Sequence, residues 1–269
     1  MSNPESAPDR KPLVPQEGWH VLHQIYSVDR SGLDEAGREG LQKRLREVGE
    51  MVGKMENGQV LWFKVVGRAD FGVMVMGSRL DEVDRFEKQV MDAGQGRFRR
   101  DFSFLSLTEE SEYTTTEEEF GQTLAAEGLT PGSAEFTERV EAFRERMAKY
   151  RHERIYPRLG GWEAICFYPM LKRRGSELNW YALSYEERRR LMGSHARVGR
   201  GYAGRVKQLI TGATGLSDWE WGVTLFARSV DEFKKIIYEM RFDPVSFSYA
   251  EFGPFYLGYV VGVEDVVKG

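Results

Sequence analysis

Cysteine and histidine are scarce in this chain, and neither sign of charge dominates. Among 269 residues there is one cysteine, Cys166. An intramolecular disulfide, a cysteine zinc cage and an iron–sulfur cluster are therefore excluded. Cys166 lies in the apolar run Ala164-Ile165-Cys166-Phe167, the setting of a core thiol rather than a reactive one. The formal net charge is -4, which gives no electrostatic case for a nucleic-acid partner. No apolar run approaches the roughly 20 residues needed to span a bilayer. The start of the chain, Met1 to Pro15, is polar, carries Pro4, Pro8, Pro12 and Pro15, and lacks the apolar centre of a signal peptide. Residues 1–17 are expected to be a disordered leader of a cytoplasmic protein.

What is present is a repeat. Asp70-Phe71-Gly72-Val73-Met74-Val75-Met76 is followed by Leu80-Asp81-Glu82-Val83, and 150 positions later stand Glu220-Trp221-Gly222-Val223-Thr224-Leu225-Phe226 and Val230-Asp231-Glu232-Phe233. Each copy reads as an apolar strand, a short turn and an amphipathic helix with acidic residues at its start, where free N–H groups favour them. Strands are expected at Trp19 to Tyr26, Trp62 to Val66 and Phe102 to Leu107 in the first half. In the second they are expected at Ala164 to Tyr168, from Lys207, and at Phe255 to Val261. Helices are expected at about Asp34 to Met51 and Tyr185 to Arg205. Each half is thus β-α-β-β-α-β, the ferredoxin-like order. The expected fold is α+β: tandem ferredoxin-like repeats whose two sheets pack face to face as a dimeric-type α+β barrel within one chain. The halves are expected at residues 18–113 and 155–269. A mostly helical, solvent-facing linker should fill residues 114–154.

Four histidines are present. His20, His23 and His152 read as structural or surface residues. His195 differs, because Leu191, Met192, Val198 and Tyr202 share its helix face, and Ser184 with Glu187 gives that helix a capping-box start. Taken alone, His195 is either a satisfied core histidine or the single protein ligand that a haem iron needs. Tyr168 is expected to end a strand, with Lys172 following a turn begun by Pro169, and the two could form a proton or electron relay. Gln208 lies just beyond the His195 helix. Arg241 ends the helix of the second repeat copy, suited either to the macrodipole or to clamping a carboxylate.

Together these blocks resemble the chlorite dismutase-like family, and within it the coproheme decarboxylases of Firmicutes type. The resemblance rests on Ile155-Tyr156-Pro157, Cys166-Phe167-Tyr168-Pro169-Met170, Asn179-Trp180-Tyr181, His195 to Tyr202, Gln208 to Gly215, Glu220 to Phe226, Tyr238 to Asp243 and Phe252-Gly253. It is weaker in the first half, at Gly18-Trp19 and Ser111-Glu112-Tyr113. The resemblance implies a subunit of two ferredoxin-like halves, assembled as a homopentamer, that meets ferrochelatase transiently. It implies that His195 is the axial iron ligand, Tyr168 the radical-forming tyrosine and Lys172 the lysine of the second decarboxylation. It places Arg241 and Ser246 on propionates, Arg154 and Met170 in the pocket, and Tyr113 near the other propionates. Gln208 stands where chlorite dismutases carry a distal arginine. The implied substrate and redox cofactor is iron coproporphyrin III, the oxidant hydrogen peroxide and the product haem b. A chlorite-decomposing or peroxidase-like haem enzyme, and a haem-binding protein without turnover, are the alternatives.

Overall fold

The computed structural model describes residues 17–268. The first half runs β1 (Glu17–Val28), α1 (Glu35–Val52), β2 (Gln59–Val65), β3 (Phe71–Gly77), α2 (Leu80–Ala93) and β4 (Phe98–Glu109). Helices α3 (Glu117–Ala126) and α4 (Ala134–Ile155) follow. The second half runs β5 (Ala164–Lys172), α5 (Tyr185–Arg200), β6 (Val206–Gly212), β7 (Trp221–Ala227), α6 (Val230–Met240), α7 (Pro244–Tyr249), β8 (Ala250–Phe252) and β9 (Tyr256–Val261). The expected leader falls outside the described residues except for Glu17, which is already in β1, opposite Glu109.

The strands do not form two separate sheets. They form one antiparallel sheet of order β7-β6-β4-β1-β3-β2-β9-β5-β8, and β5 also pairs with β7. That last pairing closes the sheet into a barrel. The halves meet at two short seams. Leu107 and Thr108 face Gly212 and Thr211 across β4–β6, and Trp62 to Val65 run against Val261 to Gly258 across β2–β9.

Alternation along the strands sorts side chains between the barrel interior and its outer face. The interior holds Ile25, Phe63, Met74, Phe104, Phe167 and Phe226. His23 is also interior, donating to or accepting from Thr224 Oγ1 at 2.9 Å and stacked on Phe167 at 4.0 Å. Burial drives its pKa down to about 3, so it stays neutral. The repeat glycines have a physical role here. A methyl group on Gly72 would lie 2.1 Å from the Phe63 ring, and one on Gly222 2.6 Å from Phe104. Each glycine admits an interior phenyl ring.

The two outer faces differ. Under α1 and α2, Trp62, Phe71, Phe86 and Phe98 fill the space with buried rings. Under α5 and α6, the buried layer is thinner, and Met170, Val198, Ile210, Met240, Phe252 and Phe255 are only partly covered. Partly covered apolar side chains border the first face too, around a larger buried layer; on the second face they include the aromatic rings Phe252 and Phe255.

Pro169 does not begin a turn. Strand β5 runs through it to Lys172. The Pro169 carbonyl accepts from the Gly253 N–H at 2.8 Å, so its nitrogen faces the same edge. On that edge β9 pairs with Ala164 to Phe167 and β8 with Met170 to Lys172. Proline sits at the handover, where no ladder donor is needed. Helix α5 also ends at Arg200, capped by Gly201, five residues before the expected Arg205.

Candidate functional site

Continuation of β5 through Pro169 puts Cys166, Tyr168, Met170 and Lys172 on one face, beneath α5 and α6. Register adds two neighbouring strands. Tyr168 lies opposite Val223, which lies opposite Ile210; Cys166 lies opposite Leu225, which lies opposite Gln208. Gln208 therefore shares the face of Tyr168. Its amide lies against Gly199 of α5, where a methyl group would come within 2.9 Å of Nε2.

His195 lies on α5, with 26% of its side chain exposed. Its Nδ1 is 2.8 Å from Asp243 Oδ2. Burial pushes the Asp243 carboxyl up, but the hydrogen bond and charge of His195, with the Ser194 hydroxyl, outweigh it and hold the pKa below the usual value. An ionised carboxylate only accepts, so Nδ1 carries a proton and donates it to Asp243. Nothing among the described residues hydrogen-bonds to Nε2. Asp243 is also the N-cap of α7, accepting from the Val245 N–H at 3.1 Å, with Pro244 in the first turn. Ser246 is buried one turn on, its N–H on the Asp243 carbonyl at 3.0 Å.

Lys172 is 6% exposed. Its ammonium stands 4.4 Å from the Trp180 ring centroid, and its backbone N–H donates to Glu220 Oε2 at 2.8 Å. Burial lowers its pKa to about 8, against the opposing pull of Asp243 and Glu220. Lys172 and His195 thus share Asp243 as an electrostatic partner. Tyr168 is buried, stacked on Phe255 at 4.3 Å, and burial raises its pKa well above the ordinary phenol range. Arg241 caps the end of α6, with its guanidinium 4.2 Å from the Phe252 ring centroid. That guanidinium forms no ion pair or hydrogen bond among the described residues, and its charge opposes the rise of the Tyr168 pKa. It is free to meet an anion.

Tyr113 reaches the site from the first half. It packs against the cluster of Trp180, Leu191 and Val245, beside Tyr185 at 6.1 Å. Its hydroxyl is buried with no hydrogen-bond partner, and burial and the nearby Glu112 carboxylate raise its pKa. Arg154, in the last turn of α4, donates from Nε to the Glu109 carbonyl at 3.2 Å. It stands at the rim with Glu109 rather than beside His195. The linker also braces α5, where Arg189 pairs with Glu119 of α3, and just before it the Glu112 carbonyl accepts from the Tyr185 hydroxyl at 2.9 Å.

Three participants were not singled out in the sequence: Asp243, Glu220 and Trp180. The Asp243-Pro244 pair is a helix-start signal, but nothing local tells that its carboxylate meets a histidine 48 residues away. A groove of about 520 Å³ lies elsewhere, between α1, β2 and β9.

A free imidazole nitrogen backed by a carboxylate is the donor set of a metal-ligating histidine. Among the described residues no group of three His, Cys, Asp or Glu side chains gathers as a metal cage. One imidazole, an apolar half-open face, an unpaired guanidinium and an orphaned buried hydroxyl suit an iron porphyrin carrying carboxylates.

Residues 41–261 match the family model described as chlorite dismutase. A protein of Natronomonas pharaonis described as a putative heme-binding protein is 38% identical over 264 residues, spanning 93% of this chain and 40% of that protein. The chain therefore spans less than half the length of the curated relatives it matches. A solved structure described as a novel haem-binding protein from Thermus thermophilus superposes with a TM-score of 0.77 at 35% identity, covering 94% of this chain and 95% of that one. A chlorite dismutase mutant from Candidatus Nitrospira defluvii superposes at 0.70 with 16% identity, over 93% and 94%, which bears on the fold alone. With the family model covering most of the chain, and a relative matching over nearly all of its own length, this chain belongs to the chlorite dismutase family.

Proposed function

We propose that this protein binds iron coproporphyrin III and, with hydrogen peroxide, converts two of its propionates to vinyls, yielding haem b through a three-propionate intermediate. The observation that carries this reading is the His195–Asp243 pair at 2.8 Å, which commits Nδ1 and leaves Nε2 free on a half-open apolar face. Haem binding by the named relatives supports the porphyrin, and Gln208 in place of a distal arginine favours decarboxylation over chlorite chemistry.

The bound iron supplies the redox chemistry with peroxide. Each conversion removes CO2 and two electrons from a propionate, and one hydrogen peroxide takes up those electrons with protons to become two waters. Propionate β-hydrogens are too weakly acidic for a side-chain base, so removal as a hydrogen atom is required. Tyr168, buried and protonated, can lose an electron and a proton together and then take that hydrogen atom. Lys172 serves the second propionate. Arg241, Ser246 and Tyr113 hold carboxylates, and Met170 and Arg154 shape the pocket. Asp243 keeps His195 in the ligating tautomer.

The same reading takes residues 18–113 and 155–269 as tandem ferredoxin-like halves joined by 114–154, supported by the repeated order of elements. It includes a cytoplasmic homopentamer with transient ferrochelatase contact, which size measurement and co-purification address.

The deciding experiment is mass spectrometry of the porphyrin after peroxide is added to the coproheme-loaded protein. Loss of one and then two CO2 units is expected. Coproheme that binds but keeps four propionates would favour a haem-binding protein without turnover, and oxygen release from chlorite would favour the chlorite-decomposing reading. His195→Ala should lose the ligand-derived absorption features while the apoprotein stays folded.

A further inference from the structure

Hydrogen peroxide must lose a proton to become a good nucleophile, and the obvious side chains under α5 and α6 cannot take it. Gln208 is a neutral amide. Tyr168 and Cys166 hold their own protons, Cys166 with a pKa raised to about 12 by burial. Lys172 is an ammonium below about pH 8, and Glu220 is occupied by the Lys172 N–H, with Arg174 3.8 Å away.

Among the described strand residues, Glu109 is a further carboxyl group on the outer side of the sheet. Met170 lies opposite Trp221, Trp221 opposite Gly212, and Gly212 opposite Leu107. Glu109, two residues past Leu107, points the same way. Its carboxyl lies over Gly212, where a methyl group would come within 2.1 Å of Oε2. Trp221 Nε1 donates to its Oε1 at 3.3 Å. The second oxygen has no hydrogen-bond partner among the described residues. Glycine at 212 makes the space, and the indole fixes the orientation.

We propose that Glu109, at the rim of this face, is the proton acceptor of the site, drawing the proton of hydrogen peroxide along a chain of waters. The inference rests on the peroxide-dependent reading above. The step is a proton transfer: an O–H bond of peroxide breaks, its electron pair stays on oxygen, and an O–H bond forms on the Glu109 carboxylate by way of the intervening waters. Nothing is oxidised or reduced in it. The groups facing Glu109 tune it. Burial raises its pKa; the Trp221 hydrogen bond and Arg154 of α4 lower it; Glu17, opposite it on β1, and Glu112 raise it. The net direction is upward, toward the working range of a general base. Its neighbour Glu110 is paired with Arg151 at 2.6 Å.

The test uses E109Q, which keeps the size of the side chain and an oxygen for Trp221. Two measurements are made. In the apoprotein, Trp221 fluorescence, isolated by subtracting the W221F spectrum, is followed from acid to neutral pH. Wild type should show one transition above the ordinary carboxylate range, and E109Q none. In the coproheme-loaded protein, the peroxide-dependent absorbance change should rise with pH through the same transition. In E109Q it should be about 100-fold slower and lose that pH dependence, with the porphyrin-binding spectrum unchanged. Equal rates and equal pH profiles would overturn the proposal, as would a Trp221 signal that ignores pH in wild type. If wild-type protein takes up no porphyrin, both this proposal and the reading beneath it fall; normal uptake with an unaffected E109Q overturns Glu109 alone.

Discussion

Asp243→Asn removes one negative charge from the His195 pair and almost nothing else. Asparagine is isosteric, and its side-chain oxygen still caps α7 through the Val245 N–H. What is lost is the negative charge behind Nδ1; the oxygen that caps α7 is the one that accepts from His195, so the hydrogen bond itself remains. Loss of such a backing group costs about 10- to 100-fold in metal affinity, or roughly 1.4–2.7 kcal/mol. The assay is an absorbance titration of the apoprotein with coproheme, scored by affinity and by the position of the main porphyrin band. Asp243→Ala separates the two duties of the residue. It removes the cap as well, so the apoprotein should lose about 1 kcal/mol more in urea unfolding than Asp243→Asn does. Coproheme affinity within twofold of wild type for Asp243→Asn would refute the argument that the pair prepares His195 for iron. Equal apoprotein stability of the two variants would refute the capping half.

Other outcomes follow from the same geometry. Tyr168→Phe keeps the stack on Phe255, so coproheme should bind normally. Peroxide should then bleach the porphyrin and yield neither the three-propionate intermediate nor haem b; a normal haem b yield sinks the hydrogen-atom mechanism. Arg241→Ala should weaken coproheme binding about 10- to 100-fold, the worth of roughly 1.5–3 kcal/mol for a charge-assisted hydrogen bond; a change below twofold counts against a carboxylate clamp. Lys172 has its folded pKa lowered from 10.5 to about 8. Between those values the unfolded chain binds more protons, so this group makes stability rise with pH, by at most about 3 kcal/mol. Below the lower value both states are charged and the slope vanishes. Urea unfolding of Lys172→Met across the alkaline range should lack that rise, and an identical slope in both proteins would show that the buried ammonium is not strained. Gly222→Ala drives a methyl group toward Phe104 and should cost about 1–3 kcal/mol of stability; a neutral result would mean the barrel interior has slack there.

The sequence by itself determined the elements and their order. Apolar positions in Phe71–Gly77 and Trp221–Ala227, each run followed by a helix with acidic residues at its start, are set by contacts within a few residues. So is the helix bearing His195, whose start is marked by Ser184. Local signals misled at Pro169, because the tolerance of a proline depends on which strand lies beside it. That partner changes from β9 to β8, both roughly 80 or more positions along the chain. Tertiary structure alone decided that the strands form one closed sheet, since closure rests on β5–β7 pairing and on the β4–β6 and β2–β9 seams. It decided that the second outer face carries the thinner buried layer, with Phe252 and Phe255 only partly covered, which depends on the volumes of rings arriving from separate elements. It also decided the partners of the site. Asp243 meets His195, and Glu109 meets Trp221, across 48 and 112 residues. Periodicity and capping are properties of neighbours along the chain; a hydrogen bond between distant residues exists only once the sheet has closed and the helices have packed upon it.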